Sequence, residues 1–242
     1  MNNKAKKTIK VILIVIAAII VAFLGVAIVY LSIYYHAGDR ALEALKSDDL
    51  FVVEEISSGY LFDGPGTEKA IIFYPGAKVE EKAYAPLLRK IAEEGTDVFL
   101  VSMPFRLAVF GVNKADSIRS AYDYKEWYMA GHSMGGAMAA VYEAKHEAEY
   151  DGVILLAAFA TKKISDNDRL LSIYGSNDNV IDAGKYNENK KNWPKESSEY
   201  VIQGGNHAQF GDYGIQKGDG DAEISWEEQQ RITVDYVKMF LE

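Results

Sequence analysis

Trp127-Tyr128-Met129-Ala130-Gly131-His132-Ser133-Met134-Gly135-Gly136 is the stretch on which the reading of this chain turns. Its first four residues form an apolar, β-prone run. Gly131 to Gly135 then spell G-x-S-x-G, and Ala137-Met138-Ala139-Ala140-Val141 follows as a helix former. The bare pattern is common, and a glycine-rich βα turn with an inert serine would share it. The strand–turn–helix setting is the one required by a strained turn that holds a nucleophilic serine clear of the sheet. The glycines let helix and strand approach closely there.

An activated serine needs a base, and the chain has four histidines. His36 adjoins an apolar segment, and His146 lies 13 residues along the helix, roughly 20 Å away at about 1.5 Å per residue. His132 is the neighbour of Ser133, and successive side chains at a strand end point to opposite faces. His207, in Gly204-Gly205-Asn206-His207-Ala208 after the last apolar run, is the remaining choice. The carboxylate that orients such a base falls between serine and histidine in chain order. Gly175-Ser176-Asn177-Asp178-Asn179-Val180 follows a strand-like run, so Asp178 is the expected partner, with Asp182 as runner-up. Asp166 and Asp168 precede that run and fall at the other edge of a sheet. For the oxyanion of acyl transfer, the expected backbone N–H donors are Met134 and Ala77, the latter in Pro75-Gly76-Ala77-Lys78, with the Lys78 amide as second choice. The Lys78 and Arg106 side chains are candidate contacts for an anionic substrate.

Around these motifs the chain alternates. A hairpin is expected over 51–56 and 60–62, and further strands over 70–74, 98–101, 127–130, 153–157, 170–174 and 200–202. Tyr84, Leu87, Leu88, Ile91 and Ala92 have helical spacing and stop at Gly95. A last helix opens with the capping pattern Ser225-Trp226-Glu227-Glu228 and is expected to carry Ile232, Tyr236, Met239 and Phe240 on one face. Continuous apolar strands imply burial on both faces. Strand–helix alternation with such strands predicts an α/β fold, a three-layer α/β/α sandwich on a mostly parallel sheet. About a dozen residues separate the 153–157 strand from Leu170, too few for a cap domain.

These residues carry a resemblance. Tyr74-Pro75-Gly76-Ala77-Lys78-Val79, Gly131-His132-Ser133-Met134-Gly135-Gly136, Gly175-Ser176-Asn177-Asp178 and Gly205-Asn206-His207 are similar to motifs of the α/β-hydrolase fold. Within it they resemble the small lidless dienelactone hydrolase and carboxylesterase group, from about residue 51 to the C-terminus. The resemblance implies Ser133 as nucleophile, Asp178 as acid and His207 as base. One departure stands out: dienelactone hydrolases proper use a cysteine nucleophile, and this chain has no cysteine.

The missing cysteine also excludes disulfide scaffolds, zinc ribbons and thiol chemistry. Of 242 residues, 26 are Lys or Arg and 35 Asp or Glu, a net charge of -9, which argues against a nucleic-acid partner. The charge is unevenly placed. Lys4, Lys6, Lys7 and Lys10 are the only charges before residue 37, and an uncharged run of 25 residues covers 11–35. As a helix it spans roughly 37 Å, against about 30 Å of bilayer hydrocarbon. It is longer than the apolar region of a cleaved signal peptide, and Tyr35-His36-Ala37 is a poor cleavage site. The expected organisation is a basic cytoplasmic N-terminus over 1–10, a transmembrane anchor over 11–35, a linker over 36–50 and a catalytic domain over 51–242. The lysines place the body outside the cell membrane by the positive-inside rule. Asp212, Asp219 and Asp221 lie in a glycine-rich loop without the spacing of an EF-hand, and neither metal nor cofactor is expected. The sequence thus predicts a membrane-anchored serine hydrolase of small carboxylic esters or other acyl substrates. An acyltransferase, a peptidase, or a non-catalytic tethered binding module are the other readings.

Overall fold

The computed structural model describes residues 3–48, 51–146 and 149–242. The chain divides into two compact units, Met1–Tyr34 and Tyr35–Glu242. The first is helix α1 (Asn3–Ser32), whose segment Lys7–Ser32 has a mean hydropathy of 3.4 and is long and apolar enough to cross a membrane. The helix stops short of the end of the uncharged run. Tyr35 instead donates its backbone N–H to the Lys78 carbonyl (2.8 Å) and accepts from the Glu80 N–H (2.8 Å), so its backbone is committed to a β-bridge.

The body runs α2 (Asp39–Glu43), β1 (Val52–Ile56), β2 (Gly59–Asp63), β3 (Lys69–Tyr74), α3 (Ala85–Glu93), β4 (Asp97–Val101), α4 (Ala115–Arg119), β5 (Glu126–His132), α5 (Met134–Glu143), β6 (Gly152–Leu156), β7 (Arg169–Gly175), α6 (Ala183–Asn189), β8 (Glu196–Ile202) and α7 (Trp226–Leu241). Residues 36–48, read from sequence as a linker, pack on this body. Ala41 is fully buried, and Gly38 and Ala41 donate backbone N–H groups to Asp212. The eight strands form one sheet in the order β1-β2-β4-β3-β5-β6-β7-β8. The β1–β2 hairpin and its junction with β4 are antiparallel, and all later pairings are parallel.

Alternation along β3 shows why both faces are dry. Ile71 and Phe73 join a core with Leu87, Leu88, Val234 and Val237 from α3 and α7. Ile72 and Tyr74 point the other way, into a core with Ile118, Ala139 and Ala140 from α4 and α5. That makes a three-layer α/β/α sandwich. No helix occupies the twelve residues between β6 and β7, so no cap covers the sheet there. Parallel pairing brings the C-terminal ends of β3 to β8 to one edge, where ligands meet open α/β sheets.

Two expectations shift. Strand β8 starts at Glu196, not near Tyr200, because an edge strand with exposed side chains needs no apolar run. Helix α7 buries Gln229, Gln230, Thr233, Val234, Val237 and Leu241, while Met239 stays exposed. Its inward face includes polar residues that the apolar periodicity placed outside.

Candidate active site

The turn from β5 into α5 is forced by its glycines. A Cβ on Gly131 would lie 2.6 Å from the Gly136 nitrogen and 2.7 Å from the Tyr74 carbonyl oxygen. One on Gly135 would collide with that same carbonyl. Only with both glycines can helix, turn and neighbouring strand close together. Ser133 sits between them at φ 53°, ψ -123°, a left-handed conformation that costs an L-residue about 1–3 kcal/mol. Its backbone N–H is held by the Leu156 carbonyl (2.9 Å), and its carbonyl accepts from Ala137 (3.0 Å).

Asp178 and His207 come together from the loops after β7 and β8. His207 Nδ1 lies 2.8 Å from Asp178 Oδ2, with both side chains buried. Asp178 Oδ1 accepts the backbone N–H groups of Val180 (2.8 Å) and Ile181 (2.9 Å), which fixes the carboxylate in place. A carboxylate accepts, so Nδ1 carries the proton and Nε2 keeps its lone pair. Nε2 is buried and has no hydrogen-bond partner among the described residues. His207 and Ser133 line one cavity of about 260 Å3, with Met134, Ala157, Phe159 and Ile181 among its walls. Asp182 is occupied otherwise: it caps α6 by accepting from the Lys185 N–H (3.0 Å).

The loop after β3 sorts its own amides. Gly76 donates to the Tyr84 hydroxyl (3.0 Å) and Lys78 to the Arg106 carbonyl (2.8 Å). Ala77 lies between them, and its amide makes no hydrogen bond among the described residues. The Lys78 amide, second choice from sequence, is thereby taken. The Met134 amide is the first of α5, where no intrahelical acceptor exists. Lys78 and Arg106 are joined through their backbones, but neither lines the Ser133 cavity; Lys185 does.

Three residues that the sequence gives no place in the site hold the His207 loop, and Tyr84 supports one of them. Gln229 on α7 accepts the Asn206 N–H (2.9 Å) and donates to the Asn206 carbonyl (2.8 Å). Asp219 accepts from the backbone of His207 (3.2 Å) and Ala208 (2.8 Å), so this loop aspartate anchors His207. His132, rejected as a base, donates from Nε2 to the His207 carbonyl (3.1 Å) and accepts at Nδ1 from the Tyr84 hydroxyl (2.8 Å). The hydrogen bonds therefore run from Gly76 through Tyr84 and His132 to His207, linking the loop after β3 to the loop after β8. Burial, with a further push from His207, holds the His132 pKa well below the ordinary imidazole value. Burial likewise raises that of the Tyr84 hydroxyl. The one signal in the sequence was the presence of a second histidine beside the nucleophile.

The sequence profile of the alpha/beta hydrolase family matches residues 70–231. The chain belongs to the alpha/beta hydrolase family. No curated protein matches it. Among solved structures it is similar to a membrane phospholipase A described as a bacterial virulence factor, at 12% identity and a TM-score of 0.59, covering 99% of both chains. Dienelactone hydrolase from Anabaena variabilis superposes at 11% identity and a TM-score of 0.59, over 80% of this chain and 100% of that one. Naproxen esterase from Bacillus subtilis does so at 11% and 0.58, over 84% and 95%. At such identities the likeness is one of fold.

Proposed function

We propose that this family member is a serine hydrolase of carboxylic esters, tethered to the cell membrane by α1 with its body outside. The observation that carries the reading is His207: Nδ1 is tied to a buried carboxylate, Nε2 has no hydrogen-bond partner among the described residues, and the residue lines the same cavity as Ser133. In the first half-reaction Ser133 Oγ attacks the ester carbonyl carbon as its proton passes to His207 Nε2. Asp178 steadies the imidazolium through Nδ1–H. The Met134 and Ala77 amides receive the oxyanion. Collapse breaks the acyl C–O bond, and the leaving alkoxide takes the proton from Nε2. Water then attacks the acyl-enzyme with His207 as base, which releases the acid and restores Ser133.

The lidless edge suits accessible acyl groups of modest size, since nothing closes over the serine to select by shape. The esterase and phospholipase folds among the structural neighbours are in keeping with this chemistry. Hydrolysis of p-nitrophenyl acetate and butyrate by the detergent-solubilised full chain tests it. Ser133→Ala should lower kcat by about 10^3-fold or more, with a burst of nitrophenol seen in wild type alone. A wild-type chain no faster than Ser133→Ala would leave the tethered binding module as the better reading. Protease added to spheroplasts should remove the body; full protection would reverse the topology.

A further inference from the structure

We infer that the catalytic edge of the body lies on the bilayer surface, so that esters held in the membrane reach Ser133 directly. The inference rests on the anchor and serine-hydrolase readings above and adds an orientation and a substrate class to them.

The first observation is where the chain joins the body. Tyr35 pairs with Val79 in the loop that carries Ala77, and its hydroxyl accepts the Lys217 backbone N–H (3.0 Å) from the loop after β8. Its ring lies 5.6 Å from that of Tyr213 on the same loop. Ala37 donates to Glu80 and Gly38 to the Asp212 carbonyl. Residues 35–38 are thus stitched to the loops after β3 and β8, at the edge that holds Ser133 and His207. Only Ile33 and Tyr34 separate Tyr35 from the last residue of α1, and three peptide units reach at most about 11 Å. A tether attached at the opposite edge would let the site face water. This one does not.

The second observation is the distribution of exposed apolar side chains. Eight large ones are exposed on the described body, and five follow the C-terminal ends of strands: Phe105, Val109, Phe110, Met134 and Ile215. Ile215 is 93% exposed and Phe110 61%. Phe105 and Phe110 meet edge to face, with ring centroids 6.0 Å apart. Phe105 and Arg106 are both held at positive φ (54° and 58°), strained positions for residues with side chains, and the strain presents Phe105 outward without burying it. The Arg106 carbonyl accepts from Lys78, so this loop lies one hydrogen bond from the strand of residues paired with Tyr35. Exposed apolar groups gathered beside a membrane tether match an interfacial surface. An aqueous ester would not need them.

The absence of cysteine permits a clean test. Single cysteines carrying an NBD fluorophore are placed at Phe105, Phe110 and Ile215, and as controls at Glu68 and Lys195. Both controls are exposed and precede strands β3 and β8 at the opposite edge. The labelled full chain is reconstituted into phosphatidylcholine vesicles with or without doxyl-labelled phosphatidylcholine. Labels at 105, 110 and 215 should lose at least half their fluorescence to the lipid quencher, and those at 68 and 195 should be unchanged. In parallel, Phe105→Ser/Phe110→Ser should cut hydrolysis of a long-chain ester in the vesicles about tenfold and leave a short soluble ester unaffected. Equal quenching at both edges, or equal rates on both esters, would overturn the orientation while vesicle flotation and phosphonate labelling of Ser133 still upheld the readings beneath it. Failure to float would overturn the anchor reading and the orientation together.

Discussion

His132 should make the stability of the protein sensitive to acid. In the folded state it is buried between the Tyr84 hydroxyl and the His207 carbonyl, with its ring centroid 4.5 Å from that of His207, and its pKa is held well below 6.5. The unfolded chain takes up this proton as pH falls through about 6.5, and the native state does not. The stability associated with the neutral ring is therefore intact above that value and declines as pH falls below it. The full slope is about 1.4 kcal/mol per pH unit. Between pH 6 and 5, with the unfolded site mostly protonated, one such group accounts for about 1 kcal/mol. Other groups titrate too: burial raises the Asp97 pKa, which acts in the opposite sense at lower pH. A variant isolates the term. His132→Gln keeps an amide donor for the His207 carbonyl and removes the titration. Urea unfolding of the full chain in detergent, followed by tryptophan fluorescence at pH 7.5, 6 and 5, should show wild type losing about 1 kcal/mol more than His132→Gln between the last two values. Parallel losses would refute the claim that His132 is folded neutral. In the proposed mechanism neutrality also has a catalytic reason, since a cation at this distance would oppose an imidazolium on His207.

Further perturbations separate positioning from chemistry. Gln229→Ala strips two hydrogen bonds from the Asn206 backbone and should cost about 1–3 kcal/mol in urea unfolding, with kcat on p-nitrophenyl butyrate falling more than KM changes. Ala77→Pro deletes the unpartnered amide and should lower kcat about 10^2–10^3-fold with little change in KM, measured on a variant with wild-type circular dichroism. Ser225→Ala removes the cap that accepts the Glu228 N–H (3.2 Å) and should destabilise the body by about 1 kcal/mol, with kcat unaltered.

Local physics made the sheet legible. Strands buried on both faces must be apolar throughout, so β3 to β7 stand out in the sequence, and every candidate residue except His207, which follows β8, falls just after one of them. Asp178 was preferred to Asp182 on that placement alone, and the structure pairs it with His207 and uses Asp182 as a helix cap. What escaped were polar residues whose value depends on a distant partner. Gln229 and Gln230 look like a solvent-facing stripe of α7 until the loop of His207 is folded against them; they then bond the backbone of Asn206 and of Gln209. His132 is likewise unreadable without Tyr84, 48 residues earlier in the chain. The sequence predicts an apolar helix running to Tyr35, because hydropathy registers the uncharged run and not the backbone bonds that turn Tyr35 into part of the body.

The central claim is that Ser133 is the nucleophile, and covalent trapping tests it most directly. The full chain is treated with a fluorophosphonate, and the adduct is located by intact mass and peptide mapping. A single adduct on Ser133 is predicted, slowed about 10^3–10^4-fold by Asp178→Asn and absent from Ser133→Ala. Equal labelling of wild type and Ser133→Ala, or none of either, would contradict it.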